Sequence, residues 1–117
     1  NPPGSEAVNL ARLRMRLSAL NSHRFKYGLT PNSSCPNCND PHETTYHFLF
    51  DCPAYTAART TLLESLRLVL PPNSHTSQTN LESIILFGST RLDLTTNLAI
   101  FSAVFKYLGS SARFVIQ

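Results

Sequence analysis

The three cysteines of this chain lie within one 18-residue window that also contains a histidine. Cys35, Cys38, His47 and Cys52 form the pattern C-x2-C-x8-H-x4-C. A Cys-x2-Cys pair directs two sulfurs at one metal ion, and a histidine with a third cysteine completes a tetrahedral Cys3His set suited to zinc. Because four protein ligands leave no coordination position open, the pattern predicts one structural zinc ion and not a catalytic one.

A second histidine in the window, His42, is the alternative fourth ligand. His47 is favoured because residues 43–51 look like a short helix that must end just before Pro53, since proline disfavours helical geometry at the residue before it. A histidine on this helix and a cysteine at its end can both face the Cys-x2-Cys turn. His42, in contrast, falls in a polar turn after Asp40.

The elements around this window are predicted to be helical. Two basic helices are expected within residues 5–29, the finger at 35–52, and further helices at 53–70, 80–88 and 93–109. Leucines spaced by three and four define the first buried stripe, and similar spacing marks two later helices. The predicted buried faces are Leu10, Leu13, Leu17 and Leu20; Tyr55, Ala58, Leu62, Leu66 and Val69; and Leu98, Phe101, Val104, Phe105 and Leu108.

Glycines and helix-capping residues indicate the expected ends of these helices. Gly28 and Gly88 are suited to follow helix C-termini, and Asn80 and either Asp93 or Thr95 to precede N-termini. No long two-residue alternation competes with the helical spacing. The sequence therefore predicts an all-α fold, a single domain over residues 1–117 with a zinc knuckle and, at that knuckle, at most a tiny β-hairpin.

Composition bounds the class of protein. The chain has 117 residues, of which 42% are hydrophobic, enough for a modest core. An odd number of cysteines argues against a closed disulfide framework and favours an intracellular, reducing compartment, the cytoplasm or nucleus. No apolar run of membrane-spanning length or signal peptide is recognisable, so no membrane partner is expected. Asparagine at the first position suggests a processed chain or an excised piece of a larger protein.

Positive charge is concentrated in the first third of the chain. Residues 1–34 carry five basic residues against one acidic residue, whereas residues 35–52 carry three acidic residues and no lysine or arginine. Such an asymmetry is typical of proteins with an anionic partner such as RNA or DNA, and also of ordinary solvated surfaces. The candidates for phosphate contacts are Arg12, Arg16, Arg24 and Lys26.

Aromatic residues surround the finger. Phe48 and Phe50 are expected to form a dry wall beside the metal, because aromatic residues at helical spacing usually belong to a core. Tyr27 or Tyr46, if exposed, could instead stack on a base.

The order of these segments resembles the region that follows the reverse transcriptase, and often an RNase H domain, in polyproteins of Jockey-like non-LTR retrotransposons. The resemblance spans nearly the whole chain and is strongest around the cysteines. The segments that carry it are Leu13-Arg14, Leu20-Asn21-Ser22-His23, Phe25-Lys26-Tyr27-Gly28-Leu29, Cys35-Pro36-Asn37-Cys38, Glu43-Thr44, His47-Phe48-Leu49-Phe50, Cys52-Pro53-Ala54-Tyr55, Arg59, Leu62-Leu63, Phe105-Lys106-Tyr107-Leu108 and Arg113-Phe114.

The resemblance implies a non-catalytic, zinc-binding accessory module that engages template RNA or target DNA during target-primed reverse transcription, beside the reverse transcriptase or RNase H domain of the same polyprotein. Family members commonly carry a Gly-His pair where this chain has Arg16-Leu17, so we expect the helix to continue through this point. A Tyr-x-Asp-Asp type motif and a nuclease carboxylate cluster are absent from the sequence. If Cys35, Cys38 and Cys52 hold zinc, they cannot serve as free nucleophiles. The alternative is a protein-interaction or structural domain that braces the polymerase or binds a host factor, including a detached and repurposed descendant of such a polyprotein.

Overall fold

The computed structural model describes residues 5–71 and 78–114, which are mainly helical and contain no strand. The helices are α1 (Ser5–Arg14), α2 (Asn21–Lys26), α3 (Thr56–Val69), α4 (Gln78–Phe87) and α5 (Leu94–Ser111). A π-helical turn at His47–Asp51 and a 3-10 turn at Pro53–Tyr55 precede α3. The all-α prediction is confirmed, and within these ranges the knuckle closes as a turn without a β-hairpin.

The backbone divides into two compact units. The first unit, Asn1–Thr56, contains α1, α2 and the cysteine window, and the second unit, Ala57–Gln117, contains α4, α5 and nearly all of α3. The sequence predicts a single domain over residues 1–117, and this stays a prediction.

Helix α1 ends earlier than the leucine spacing predicts. The N–H of Arg16 donates to the carbonyl of Leu13 at 3.1 Å and the N–H of Leu17 to that of Arg12 at 2.9 Å, the pair of bonds that closes a Schellman motif. Arg16 has φ of 57°, in the left-handed region where glycine is usual. The expectation of a continued helix was therefore wrong, and so was the placement of Leu17 in the buried stripe, since Leu17 is 51% exposed.

The remaining leucines of the stripe behave as predicted. Leu10, Leu13 and Leu20 are buried. Helix α2 begins after Leu20 and ends at Lys26, and Gly28 follows with φ of 72°, as the glycine position predicts.

The core of the second unit is apolar. Its buried residues are Leu62 and Leu66 from α3, Ile85 and Leu86 from α4, and Ile100, Val104, Tyr107 and Leu108 from α5. The expected faces are therefore largely correct, although Phe101 and Phe105 are half-buried and Leu98 is 57% exposed, so its placement in the buried face was wrong.

A tight corner joins α4 to α5. Gly88 has φ of 69°, and a Cβ there would lie 2.6 Å from Oδ1 of Asn97. That Oδ1 accepts the N–H of Ser89 at 2.9 Å, while Nδ2 of Asn97 donates to the Ser89 carbonyl at 2.9 Å. Asp93 caps α5 by accepting the N–H of Thr96 at 2.7 Å. Hydrogen bonds from the Thr96 side chain and from its N–H lower the pKa of Asp93.

Two predicted boundaries differ from the structure. Asn80 does not cap α4, because the helix already begins at Gln78. Helix α5 passes Gly109 and ends at Ser111, where Ala112 takes the left-handed cap conformation with φ of 54°. Residues 72–77, between the predicted helices at 53–70 and 80–88, lie outside the described residues.

Candidate metal centre

The Cys-x2-Cys segment folds into a closed turn. The N–H of Cys35 donates to the carbonyl of Asp40 at 2.8 Å, and the N–H of Asn39 donates back to the carbonyl of Cys35 at 3.0 Å. Asn39 supplies the reversal with φ of 64°, a conformation that asparagine tolerates better than most residues. The turn between them brings the sulfurs of Cys35 and Cys38 to the same site.

The π-helical turn supplies the other two ligand side chains. The N–H of Cys52 donates to the carbonyl of His47 at 2.8 Å, so one wide-turn hydrogen bond joins the main chains of both residues. At the start of this turn, Oγ1 of Thr44 accepts the N–H of His47 at 3.1 Å. The helical segment predicted over 43–51 is therefore real only from residue 45, and its last turn is π-helical and not α-helical.

The ligand atoms of Cys35, Cys38, His47 and Cys52 all lie within 4.8 Å of one another. Sγ of Cys35 is 3.8 Å from Sγ of Cys52, and Sγ of Cys38 is 3.3 Å from Nε2 of His47. A tetrahedral zinc ion with Zn–S bonds of about 2.3 Å places its sulfur ligands roughly 3.8 Å apart. The cluster could hold a metal ion and is compatible with zinc.

His42 lies outside this cluster. Its side chain is exposed, and its Nδ1 lies 3.2 Å from Oγ of Ser33. The structure therefore brings together the four residues favoured by the spacing and leaves the alternative histidine apart.

Burial makes the cluster chemically unusual for free thiols. Burial raises the pKa of Cys52 to about 12, although the N–H of Ala54 opposes the shift. Burial also raises the pKa of Cys35, against the N–H groups of Asn37 and Cys38. Thiolates are therefore disfavoured here unless a cation accompanies them, and a bound dication reverses this preference because it deprotonates the thiols that ligate it.

The orientation of His47 fits a metal-ligating role. Nε2 of the ring faces the Cys38 sulfur, whereas Nδ1 is buried and has no hydrogen-bond partner within the described residues. Oδ2 of Asp40 lies 3.7 Å from this Nδ1. Metal-ligating histidines commonly direct their second nitrogen at a carboxylate, which holds the ring in one tautomer. Asp40 is therefore placed to orient His47.

Glu43 connects the cluster to α2. Its side chain is only 1% exposed, and Oε1 accepts the N–H of Asn21 at 2.7 Å, at the start of the helix. The carbonyl of Glu43 accepts the N–H of Ser22 at 3.1 Å, and the N–H of Glu43 donates to the carbonyl of Ser33 at 2.7 Å. Oε2 lies 3.9 Å from Sγ of Cys35. This role could not be predicted from the residue type, because a Glu at a turn is usually solvated.

A third histidine, His23, is buried outside the metal cluster and makes polar contacts that position α2. Its Nδ1 lies 2.8 Å from Oγ of Ser18, and its Nε2 lies 3.3 Å from Oγ1 of Thr45. Burial lowers the pKa of His23, and the nearby charges of Arg16 and Lys26 lower it further. Nδ1 thus ties α2 to the turn before it, and Nε2 ties α2 to the finger. This role of His23 was not predicted from the sequence.

An aromatic wall stands beside the cluster. Phe48 is fully buried and packs edge-on against Tyr55, with ring centroids 5.2 Å apart. The Tyr55 hydroxyl accepts a hydrogen bond from Nδ2 of Asn37 at 2.7 Å, which connects the aromatic wall to the knuckle. Phe50 and Tyr46 are half-buried and pair with each other at 5.0 Å. The core-packing prediction is confirmed for Phe48 and Tyr55.

The predicted phosphate contacts Arg12, Arg16, Arg24 and Lys26 are all exposed. Arg24 and Lys26 share α2, whereas Arg12 belongs to α1 and Arg16 to the turn after it. Nη2 of Arg24 donates to the carbonyl of Leu29 at 3.1 Å, and Nζ of Lys26 lies 5.9 Å from the centroid of the Tyr27 ring.

Comparisons with known proteins find no matching family model, no similar curated protein and no similar solved structure. Among the described helices, none has the length and apolarity needed to cross a membrane. A functional proposal therefore depends on the residues of this chain and their geometry.

Proposed function

We propose that the protein is a non-catalytic nucleic-acid-binding module, held together by one structural zinc ion, that belongs to a retrotransposon reverse-transcriptase polyprotein and helps it engage template RNA or target DNA in target-primed reverse transcription. The observation that carries the zinc assignment is the convergence of the four ligand atoms of Cys35, Cys38, His47 and Cys52 within 4.8 Å. The retrotransposon context is supported by the order of sequence segments described above.

A structural role for the metal follows from the donor set. Four side chains can fill a tetrahedral shell, so no position is left for water or substrate. Cys35, His47 and Cys52 are buried, and a closed, dry shell is typical of a structural site. When bound, the metal would neutralise the thiolates and crosslink the knuckle to the π-helical turn.

Nucleic-acid binding is supported by the charge distribution of the first unit. Arg12, Arg16, Arg24 and Lys26 are exposed, so they can meet phosphates without loss of internal contacts that hold the core. Between Glu6 and Asp40 the chain contains no acidic residue, so no internal carboxylate in this stretch competes for these cations. Such contacts provide sequence-independent affinity and positioning.

The test combines metal analysis with binding at several salt concentrations. Elemental analysis is expected to find one zinc per chain. Four phosphate contacts on duplex DNA predict a log–log salt slope of about −3 to −4. Changing Arg12, Arg16, Arg24 and Lys26 to Gln should remove most of the affinity, whereas changing Arg59, Arg67, Arg91 and Lys106 to Gln removes the same charge from the second unit and should preserve it.

Equal binding by both variants and the parent at low salt would exclude the basic residues of the first unit as the contact surface.

A second candidate function is a protein-interaction or structural domain that braces the neighbouring polymerase or binds a host factor. The observation that favours it is the exposure of Leu94 and Leu98, one helical turn apart on α5, at 72% and 57%. Absence of measurable binding to RNA and DNA, together with retention of a polymerase fragment that is lost in a Leu94→Ser/Leu98→Ser variant, would favour this function.

A further inference from the structure

Two aromatic side chains at the C-terminal end of α2 are unusually exposed. Phe25 is 51% exposed and Tyr27 is 53% exposed, whereas Phe48 and Tyr107 are almost completely buried. Two exposed aromatic rings within three residues do not contribute to the core the contacts that buried aromatic residues make. Each of these rings is therefore a candidate for contact with an external partner.

Cations alternate with these rings. Arg24 and Lys26 are both exposed, and the order along the chain is Arg24-Phe25-Lys26-Tyr27. Nζ of Lys26 lies 5.9 Å from the centroid of Tyr27, so a positive charge and an exposed ring are immediate neighbours. A partner that offers both flat apolar faces and negative charge would complement this surface.

Hydrogen bonds also close the backbone of this segment at both ends. The N–H of Gly28 donates to the carbonyl of Phe25 at 3.1 Å, and the N–H of Leu29 donates to the carbonyl of Arg24 at 2.9 Å. These two hydrogen bonds close the end of α2. The Arg24 side chain donates to the Leu29 carbonyl at 3.1 Å, across the same turn. At the other end, Glu43 fixes the start of the helix. A backbone already held by hydrogen bonds loses less conformational entropy when it binds.

We propose that Arg24, Phe25, Lys26 and Tyr27 form a stacking site for unpaired bases of single-stranded nucleic acid. This inference rests on the proposed nucleic-acid-binding function and adds a preference for single strands. In a duplex the flat faces of the bases are hidden in the helical stack, whereas a single strand can place a base on Phe25 or Tyr27 and its phosphates near Arg24 and Lys26. Aromatic stacking tolerates any base, so the site gives strand selectivity without sequence selectivity.

The test measures the affinity of the zinc-loaded chain for a fluorescent oligo(dT) strand and for a duplex of the same length at one salt concentration. The Phe25→Ala/Tyr27→Ala variant is expected to bind the single strand about tenfold or more weakly, because stacking on each ring contributes appreciably to affinity. Its affinity for duplex and its salt slope should stay near the parent values, because the phosphate contacts remain. Phe87→Ala is the matched control, since Phe87 is an exposed aromatic residue, 58% exposed, in the second unit.

A reporter variant detects stacking directly. The chain contains no tryptophan, so Phe25→Trp introduces a single indole whose fluorescence should be quenched by oligo(dT) and not by duplex. It should also restore single-strand affinity when compared with Phe25→Ala.

The outcomes separate the inference from the proposed function. If the double-alanine variant matches the parent on single strands while an Arg24→Gln/Lys26→Gln variant loses affinity, the stacking site is refuted and nucleic-acid binding stands. An equal loss on single strands and duplex also refutes the strand preference. If the parent binds neither probe, the proposed function itself fails.

Discussion

The two compact units are nearly equal in length but hold themselves together by different means. The second unit contains helices of 14, 10 and 18 residues, and its buried residues are hydrophobic. The first unit contains helices of 10 and 6 residues, and all four buried polar residues of the described chain lie in it: Ser18, His23, Glu43 and His47. Its stability must come from specific polar contacts and from the proposed metal as much as from apolar burial.

This difference determines which changes should unfold each unit. Short helices are marginal without tertiary support, so the first unit depends on groups that must be correctly protonated, paired or metallated. Apolar packing depends on volume and is insensitive to chelators and, within a wide range, to pH. The comparison therefore predicts separate responses of the two units to metal removal, core truncation and acid.

Removal of the metal should have the largest effect and should be confined to the first unit. Apparent binding free energies of structural zinc sites are on the order of 10 to 16 kcal/mol, comparable to the stability of a whole domain. In Cys38→Ser, or after chelation, amide NMR signals of residues 21–52 should lose dispersion while those of 94–111 keep theirs.

His42→Ala is the matched control, because His42 lies in the same window outside the cluster, and it should retain the metal. Loss of dispersion throughout the chain would instead show that the two units fold together as one domain.

Truncation of the apolar core should show the reverse selectivity. Ile100 is fully buried, so Ile100→Ala should cost about 2 to 5 kcal/mol in chemical denaturation of the second unit and leave the metal content unchanged. Leu98→Ala, two residues away and 57% exposed, should change stability by no more than about 0.5 kcal/mol. Phe105→Ala should fall between them, because Phe105 is half-buried. Similar losses for Ile100→Ala and Leu98→Ala would contradict the described packing of α5.

Loss of Asp40 should weaken the metal site without abolishing it. Asp40→Ala removes the carboxylate 3.7 Å from Nδ1 of His47, and loss of such partners typically lowers metal affinity about 10- to 100-fold. Competition with a chromogenic chelator measures the change. Asp51→Ala removes the same charge from an exposed position in the same window and should have a smaller effect. Equal effects would mean that charge and not ring orientation is responsible.

Glycine at two neighbouring arginines should change stability in opposite directions. Arg16→Gly should stabilise the chain by roughly 0.5 to 1 kcal/mol, because it relieves a left-handed conformation at the cost of greater freedom in the unfolded state. Arg12→Gly should destabilise it by roughly 1 kcal/mol, because residue 12 is inside α1. Both variants lose the same charge, so thermal melts compare backbone effects alone. Destabilisation by both would show that the Arg16 side chain has a structural role.

The smallest effect concerns pH. The pKa of His23 is lowered in the folded state, so the unfolded chain binds the proton more readily and stability must fall as pH decreases. The contribution is fully present above the unfolded value of about 6.5 and is lost as pH falls towards the lowered folded value. His23→Gln should therefore lose less stability than the parent between pH 7 and pH 5, in parallel denaturation series with zinc present. Parallel curves would mean that the pKa of His23 is the same in the folded and unfolded states.

The features predicted from the sequence are those that follow from spacing or from one dominant residue type. The interval of two residues between Cys35 and Cys38 and the position of Pro53 were sufficient to favour His47 over His42. Asp93 caps α5, and Gly28 ends the turn after α2, because few residues serve these positions well. The helical class followed from the three- and four-residue spacing of leucines.

The features that were missed depend on neighbours distant in sequence or on residues in unfavoured conformations. Arg16 occupies a position normally given to glycine, so no local signal marked the end of α1, and Leu17 was placed in the wrong environment. Glu43 becomes buried only because Asn21, far away in sequence, offers its N–H. The π-helical turn at His47–Asp51 is also invisible in the sequence. An ordinary α-helical turn would show the same sequence pattern, so the pattern does not distinguish the two.

The contacts of Glu43 have a thermodynamic consequence. This residue holds the start of α2 on one side and lies 3.9 Å from a metal-ligand sulfur on the other, so the two proposed binding sites share one support. Any factor by which the metal raises the affinity of α2 for a nucleic acid is, by linkage, the factor by which the nucleic acid raises the affinity of the cluster for its metal. A chelator then competes less effectively against the complex than against the free protein.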